Sequence, residues 1–327
     1  MLKFILRRLF WTIPFLFAVS IVVFLLIQAP PGDYLTTYIA TLAQQGEIVD
    51  EARIANLQAR YGLDQPLYIQ YFKWVTGMLQ GDFGISFEWQ QPVSELIWER
   101  MALTLLLSFA TLVFTWGIAL PIGIYSAVRK YSVGDYVVTF VGFIGLATPN
   151  FLLALVLMYI AVVHFGTDVG GLFSDEYVNA PWSFAKVQDL LSHLWLPMII
   201  LGTASTASLI RIMRANLLDE LPKAYVTTAR AKGMSEWRLI LKYPVRVALN
   251  PFISTIGWLL PQLVSGAVIT AIVLNLPLAG PLMLQALLSQ DMYLAGAFVM
   301  LLCALTVIGM LISDILLALL DPRVRYQ

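Results

Sequence analysis

Charged residues are scarce in this sequence. Only 12% of its 327 residues are charged, whereas 59% are hydrophobic, and the mean hydropathy is +0.79. Soluble domains carry about 25% charged residues, so a chain this apolar cannot cover its surface with polar groups in water. The composition excludes a soluble enzyme, a disordered protein and a secreted disulfide scaffold. It indicates an all-α polytopic membrane protein.

Cysteine is nearly absent, and the common catalytic motifs are missing. Cys303 is the single cysteine, which excludes an internal disulfide and a multi-cysteine zinc site. The sequence has no G-x-x-x-x-G-K-[S/T], no H-E-x-x-H and no G-x-S-x-G. His164 and His193 fall at predicted membrane boundaries, where an interfacial polar side chain is a commoner role than metal binding. We therefore expect no catalytic residue, metal or cofactor on this chain.

Long apolar stretches are abundant, and each can span a bilayer, which takes about 20 residues. The first stretch ends without a good cleavage site, so we interpret it as a retained anchor. The six predicted transmembrane helices are Leu9–Gln28, Leu103–Val128, Val137–Phe165, Leu194–Ile212, Phe252–Leu274 and Leu294–Leu320.

Basic residues are distributed unevenly among the predicted loops. With the N-terminus placed inside, 15 of the 20 fall on the cytoplasmic side, counting Arg211 at the end of its span. Acidic residues show the opposite bias, with 14 of 20 outside. Because cytoplasmic loops are enriched in Lys and Arg, both termini are predicted to be cytoplasmic.

The predicted spans divide the chain into three regions. Residues 1–28 form a cytoplasmic start and the first helix, and residues 29–102 form an external cap segment. Residues 103–327 form a five-helix core that contains a basic cytoplasmic loop at 213–251. In the cap segment, residues 51–60 can form a helix and residues 67–78 are rich in aromatics. This segment either meets an external partner or is a packed cap without one.

The basic loop carries clear helix boundaries. Pro222 suits the first position of a helix, and Gly233 suits the position just past its end. We predict a helix from Pro222 to Lys232, followed by a short second helix that starts at Ser235, a good N-cap residue.

The composition of the first of these helices suits a protein groove. Ala224 and Ala229 let another backbone approach closely, and Tyr225 can anchor the contact. A basic amphipathic loop held by anionic lipid headgroups explains the same residues equally well.

Several segments of the chain resemble one family of transport proteins. The loop matches the coupling loop of bacterial ABC importer permeases at Thr228-Ala229-Arg230-Ala231-Lys232-Gly233, Arg246, Ala248, Leu249 and Pro251. Similar segments occur at 25–33, 62–67, 81–86 and 320–326. Together they resemble the B-type permease of the dipeptide, oligopeptide and nickel branch. Ala224, Thr227 and Ala271 depart from the pattern, because the family usually has an acid, an arginine and a glutamate there.

The resemblance implies the type I ABC importer permease fold with six helices in the bacterial inner membrane. It implies a pathway for di- or oligopeptides delivered by an external solute-binding protein. Oligosaccharides, opines or nickel are alternative solutes. The implied partners are a second related permease, two cytoplasmic ATPase subunits that hold ATP and Mg²⁺, and the lipid bilayer, with no role for nucleic acid.

Two sets of site residues accompany the resemblance. The expected ATPase-coupling residues are Ala224, Tyr225, Thr228, Ala229, Arg230, Lys232 and Gly233. Polar residues of the spans are candidates for the pathway lining, although helix–helix hydrogen bonding is the alternative role for each. They are Thr148, Asn150, Ser205, Ser208, Gln262 and Ser265.

Two other functional classes are disfavoured by the residues. An ion-coupled secondary transporter usually places ionisable groups near the middle of the membrane, and the predicted spans contain very few. A membrane enzyme needs a catalytic constellation, and the sequence offers none.

Overall fold

The computed structural model describes residues 2–28, 65–86, 88–166, 170–257, 262 and 267–320, and within them the chain is helical. An isolated β-bridge joins Ile85 and Pro92. The predicted all-α class is confirmed. The α-helices in these ranges are α1 (Leu2–Gln28), α2 (Leu67–Leu79), α3 (Val93–Val128), α4 (Val133–Ala147), α5 (Asn150–Ile160), α6 (Asp175–Val178), α7 (Phe184–Glu220), α8 (Ala224–Ala231), α9 (Glu236–Lys242), α10 (Pro244–Ser254), α11 (Val268–Val273), α12 (Ala279–Leu288) and α13 (Met292–Leu320).

Four of the described helices, α1, α3, α7 and α13, are long and apolar enough to cross a bilayer. The pair α4 and α5 would make a fifth span if the two helices are counted together. The structure therefore confirms a polytopic helical protein, and it accounts for four or five of the six predicted spans. The orientation of the chain in the membrane stays a prediction.

The third predicted span, Val137–Phe165, is wrong as a single helix. The chain bends by 103° between α4 and α5. Thr148 ends α4 in an extended conformation, with ψ of 118°, because a residue before proline avoids the helical region. Pro149 then lies immediately before α5. Beyond α5, a π-helical turn over Ala161–Phe165 completes the segment.

The fifth predicted span, Phe252–Leu274, is described only at its two ends. Its beginning lies in α10 and its end in α11. Residues 258–261 and 263–266 lie outside the described residues. A continuous helix over this stretch is therefore not confirmed.

The chain forms two compact units. The core unit comprises residues 1–5, 104–277 and 306–327, and the cap unit comprises residues 6–103 and 278–305. Each unit has its own buried apolar cluster.

The core unit is organised around α7. Helices α4, α5 and α10 all pack against it. Its close contact with α3 depends on two glycines, because an added Cβ at Gly123 would lie 2.7 Å from Met213 Cβ. At Gly202 the added Cβ would lie 3.0 Å from the Phe114 ring. The two helices therefore approach at distances that larger residues would not allow at these positions.

The loop before α7 contacts the buried side chain of Lys186. Lys186 is buried, and its Nζ donates to the carbonyls of Ala180 at 2.7 Å and Val178 at 3.3 Å. The same ammonium lies over the rings of Phe173 and Trp182, at 4.9 and 5.3 Å from their centroids. A desolvated charge needs such partners, so the loop folds around the first turn of α7.

In the cap unit, α1 packs against α2 through aromatic side chains. The Phe24 ring lies 5.5 Å from that of Tyr71 and 5.8 Å from that of Trp74. The hydroxyls of Ser20 and Tyr71 are 2.8 Å apart, which pairs two buried polar groups. The aromatic stretch predicted at 67–78 thus forms α2. The helix predicted at 51–60 lies outside the described residues.

The segment 81–86 is fastened to the start of α13. Asp291 is fully buried, and it accepts hydrogen bonds from Ser86 Oγ at 2.5 Å and from the Leu294 N–H at 3.2 Å. Gly84 has a φ of +85°, and a Cβ there would lie 2.7 Å from the Tyr293 ring. Only glycine fits both the backbone conformation and the space at this position.

We expect Gly123→Ala to destabilise the core unit, because the added methyl group has to displace Met213. Overpacking of this kind costs about 1–3 kcal/mol. Gly117→Ala is the matched control on the same helix, since no atom lies within 4 Å of its added Cβ. Thermal unfolding of the purified chain in detergent should show a lower midpoint for Gly123→Ala alone. Equal shifts for the two variants would contradict the packing argument.

Candidate functional site

The basic loop contains three short helices, α8, α9 and α10. Helix α8 begins at Ala224, two residues later than predicted, so Pro222 lies in the preceding turn. The second helix follows Ser235, as predicted. Both expectations of a helix are confirmed, and the placement of Pro222 in the first helix is wrong.

Gly233 ends α8 in the expected way. Its φ is +76°, a left-handed conformation that glycine adopts without strain. Its N–H donates to the Arg230 carbonyl at 3.0 Å, and the Met234 N–H donates to the Ala229 carbonyl at 3.4 Å. This is the Schellman pattern of helix termination. It turns the chain sharply from α8 into α9.

One face of α8 is buried against the chain itself. Val226 and Ala229 belong to an apolar cluster that also contains Leu239 of α9 and Met213 and Leu217 of α7. Ala229 was expected among the coupling residues, but its side chain is only 8% exposed. Its small size serves the packing of α8 on the core unit.

The rest of α8 is exposed. Of the residues expected to couple, Ala224 and Thr228 lie opposite the buried face, whereas Tyr225 and Arg230 lie beside it. Lys232, just after the helix, is also exposed. Thr228 donates its hydroxyl hydrogen to the Ala224 carbonyl at 2.8 Å. The helix therefore presents a small, mostly polar surface on a rigid base.

Glu220, the last residue of α7, fastens α8 to that helix. Its two carboxylate oxygens accept from Lys223 Nζ and from Tyr225 Oη, each at 2.6 Å. Glu220 is 9% exposed, so this pair is partly shielded from water. Burial and the bond to Glu220 raise the pKa of the Tyr225 phenol above its ordinary value. Tyr225 thus stays a neutral donor and fixes the start of α8.

Arg230 is paired within the loop. Its Nε donates to Glu236 at 2.5 Å, and Nη2 donates to the other oxygen at 3.2 Å. Hydrogen bonding to Arg230 lowers the pKa of the Glu236 carboxyl. Both side chains are about half exposed, and exposed pairs contribute little to stability. If Arg230 bonds to a partner protein instead, the chain therefore loses little stability.

A second fastening joins the turn between α3 and α4 to α7. Asp135 is 2% exposed, and its oxygens accept from Arg214 Nε and Nη2, both at 2.8 Å. Ser126 Oγ and the Tyr131 N–H also donate to Asp135. Sequence reasoning missed this residue. Its signal is the capping pattern Ser132-Val133-Gly134-Asp135, in which Ser132 Oγ accepts from the Asp135 N–H at 3.2 Å.

The candidate pathway residues have different positions. Thr148 donates to the Ile144 carbonyl at 2.8 Å and ends α4. Asn150 is half-buried at the start of α5. Gln262 is exposed, and Ser265 lies outside the described residues.

Ser205 and Ser208 share one side of α7. Gly202 on this helix faces α3, and Thr203 lies against Gly145 of α4. By the 100° rotation per residue, the two serines point to a third direction. Both are half-buried, so this side of α7 is partly open.

No group of three or more His, Cys, Asp or Glu side chains that could hold a metal ion occurs in the described part of the chain. Cys303 is half-buried as a free thiol.

We expect Glu220→Ala to loosen α8, because Lys223 and Tyr225 lose their shared acceptor. A charged hydrogen bond contributes about 1.5–3 kcal/mol, so amide hydrogen exchange in residues 224–233 should become at least about tenfold faster. The control is Glu236→Ala, which removes the exposed pair and should change exchange much less. Similar acceleration in both variants would show that Glu220 has no special role.

Comparisons with known proteins extend these observations over the whole chain. Residues 119–326 match the model of the binding-protein-dependent transport system inner membrane component, and residues 1–108 match the N-terminal model of the corresponding membrane components. The chain is 38% identical to the oligopeptide transport system permease protein AppB of Bacillus subtilis, with all of both chains covered. It is 30% identical to the dipeptide transport system permease protein DppB of Escherichia coli K12, again over the full length of both. It is 33% identical over both full lengths to the glutathione transport system permease protein GsiC of Salmonella choleraesuis. The chain therefore belongs to the family of binding-protein-dependent transport system inner membrane components, the permease subunits of ABC importers.

Proposed function

We propose that this chain forms part of the pathway through which an ATP-driven importer passes peptides, and that an ATPase subunit acts on its helix α8. The full-length relatives named as oligopeptide, dipeptide and glutathione permeases support peptides as the solute. The observation that carries the coupling role is the arrangement of α8. Val226 and Glu220 hold it firmly to the core unit, while Thr228 and Lys232 remain exposed.

The proposed importer contains this chain, a second related permease, two ATPase subunits that bind ATP and Mg²⁺, and an external solute-binding protein. It lies in the bacterial inner membrane, with α8 on the cytoplasmic side. The basic character of the loop supports this orientation. ATP hydrolysis takes place on the ATPase subunits, and this chain converts their movement into a change of the pathway.

The open side of α7 is the proposed pathway lining on this chain. Ser205 and Ser208 lie there without being enclosed by α3 or α4. Polar side chains in a membrane favour a bundle interior or a water-filled cavity. A second permease facing this side would complete such a cavity, in which hydroxyls could bond to a passing peptide backbone.

The test of the proposed function is transport by the purified complex in proteoliposomes. Accumulation of a labelled tripeptide should require ATP, the ATPase subunits and the external binding protein. Vesicles that contain the same proteins with a non-hydrolysable nucleotide should accumulate none. Uptake that proceeds without ATP and follows an imposed proton gradient would overturn the proposal in favour of a secondary transporter.

A crosslink tests the role of α8. We expect Thr228→Cys, made in a Cys303→Ser background and labelled with benzophenone maleimide, to capture an ATPase subunit on illumination. Thr228 is exposed on α8, so the label has direct access to a docked partner. Lys130→Cys, exposed on the turn between α3 and α4, is the control and should capture much less. Absence of capture from position 228 in every nucleotide state would contradict the docking of an ATPase on α8.

A further inference from the structure

Asp135 is buried, and it forms an ion pair with the half-buried Arg214. Its guanidinium donates two parallel bonds, both 2.8 Å long, to the two oxygens of one carboxylate. Bidentate pairing fixes orientation as well as distance. The Asp135 side chain is 3% exposed and that of Arg214 27%, so water competes only weakly for the bonds.

Asp135 also accepts hydrogen bonds from residues of α3 and of the α3–α4 turn. Ser126, near the end of α3, donates its hydroxyl hydrogen to Oδ1, and the Tyr131 N–H donates to Oδ2 at 2.9 Å. Tyr131 has a φ of +63°, a left-handed conformation that is uncommon for a residue other than glycine. The carboxylate therefore connects the end of α3, the turn and the start of α4 through hydrogen bonds.

Arg214 connects the α3–α4 turn to the basic loop. It lies six residues before Glu220, which is about 1.7 helical turns on α7. Glu220 in turn fastens α8 through Lys223 and Tyr225. Two polar contacts on one rigid helix thus join the α3–α4 turn to α8.

We propose that Asp135 and Arg214 are positioning residues that make the α3–α4 turn move together with α8 and α9 when ATP is bound and hydrolysed. This role rests on the proposed function, because it presumes that an ATPase moves α8. Without the pair, α8 and α7 still move, but the α3–α4 turn follows incompletely. The pathway then opens to a smaller extent for each ATP that is hydrolysed.

The first test measures peptides imported per ATP hydrolysed by the complete importer in proteoliposomes. We expect Asp135→Asn to lower this ratio by about tenfold, with ATP hydrolysis largely retained. The ratio is independent of how much folded complex is present, so simple loss of stability does not lower it. Arg214→Lys keeps the charge and loses the paired bonds, and it should give an intermediate ratio.

Asp219→Asn is the matched control. It is the same acid-to-amide change near the same end of α7, on an exposed residue. The control should keep the wild-type ratio. A normal ratio in Asp135→Asn, or an equal loss in Asp219→Asn, would overturn the proposal while leaving ATP-driven import intact. A wild-type complex that hydrolyses ATP without importing peptide would overturn the proposed function and this inference together.

The second test measures the movement itself and needs no transported solute. Spin labels at Lys130→Cys and Arg238→Cys, in a Cys303→Ser background, report the distance between the α3–α4 turn and α9 in the assembled importer. Both positions are exposed. In the wild type, this distance should stay constant to within about 2 Å, the scale of ordinary helix shifts, between the nucleotide-free and ATP-trapped states.

The Asp135→Asn variant should show a broader distance distribution that changes with nucleotide. A wild-type distance that itself changes by several ångströms would overturn the proposal, because the pair would then not hold the two segments together. If Asp135→Asn does not assemble, Arg214→Lys supplies the same comparison. A distribution in that variant identical to the wild type in both states would also count against the role.

Discussion

A charged side chain that leaves water must be paired by the protein, because hydrocarbon offers it no hydrogen bonds. In the core unit, Asp135, Lys186 and Glu220 meet this requirement at the ends of long apolar helices. Each of them binds groups from a different segment of chain. The cost of burying the charge is thereby offset, and each charge also fixes where a loop starts or ends.

All three of these polar contacts involve a residue of α7. Lys186 lies in its first turn, Arg214 in its last third, and Glu220 at its end. Helix α7 also receives α3 at Gly123 and Gly202, and α4 at Gly145. The close packing between helices and the polar pairs at their ends therefore all involve one long helix, α7. Such an element transmits a displacement because a packed interior does not deform continuously.

The proposed coupling by α8 depends on the same arrangement. A helix of eight residues is too short to be stable on its own in water. Here Val226 and Ala229 bury its inner face, Tyr225 fixes its start, and the turn at Gly233 defines its end. The outer face is exposed. In the proposed mechanism, a force applied to that face would reach α7 through the buried contacts of Val226 and Ala229 and through the hydrogen bonds of Lys223 and Tyr225 to Glu220.

The sequence by itself determined the class of protein, the long spans, the helices of the basic loop and the glycine turn at Gly233, because these follow from local apolar runs and backbone preferences. It also carried the family through its motifs. The sequence contains Pro149, but the prediction of one continuous helix missed the bend of 103° between α4 and α5, which both pack on α7. Only the tertiary structure decided that Ala229 faces inward and that Asp135 meets Arg214 across 79 residues of chain. Side chains so far apart in sequence are brought together by packing on α7, and neither local propensity nor composition contains that information.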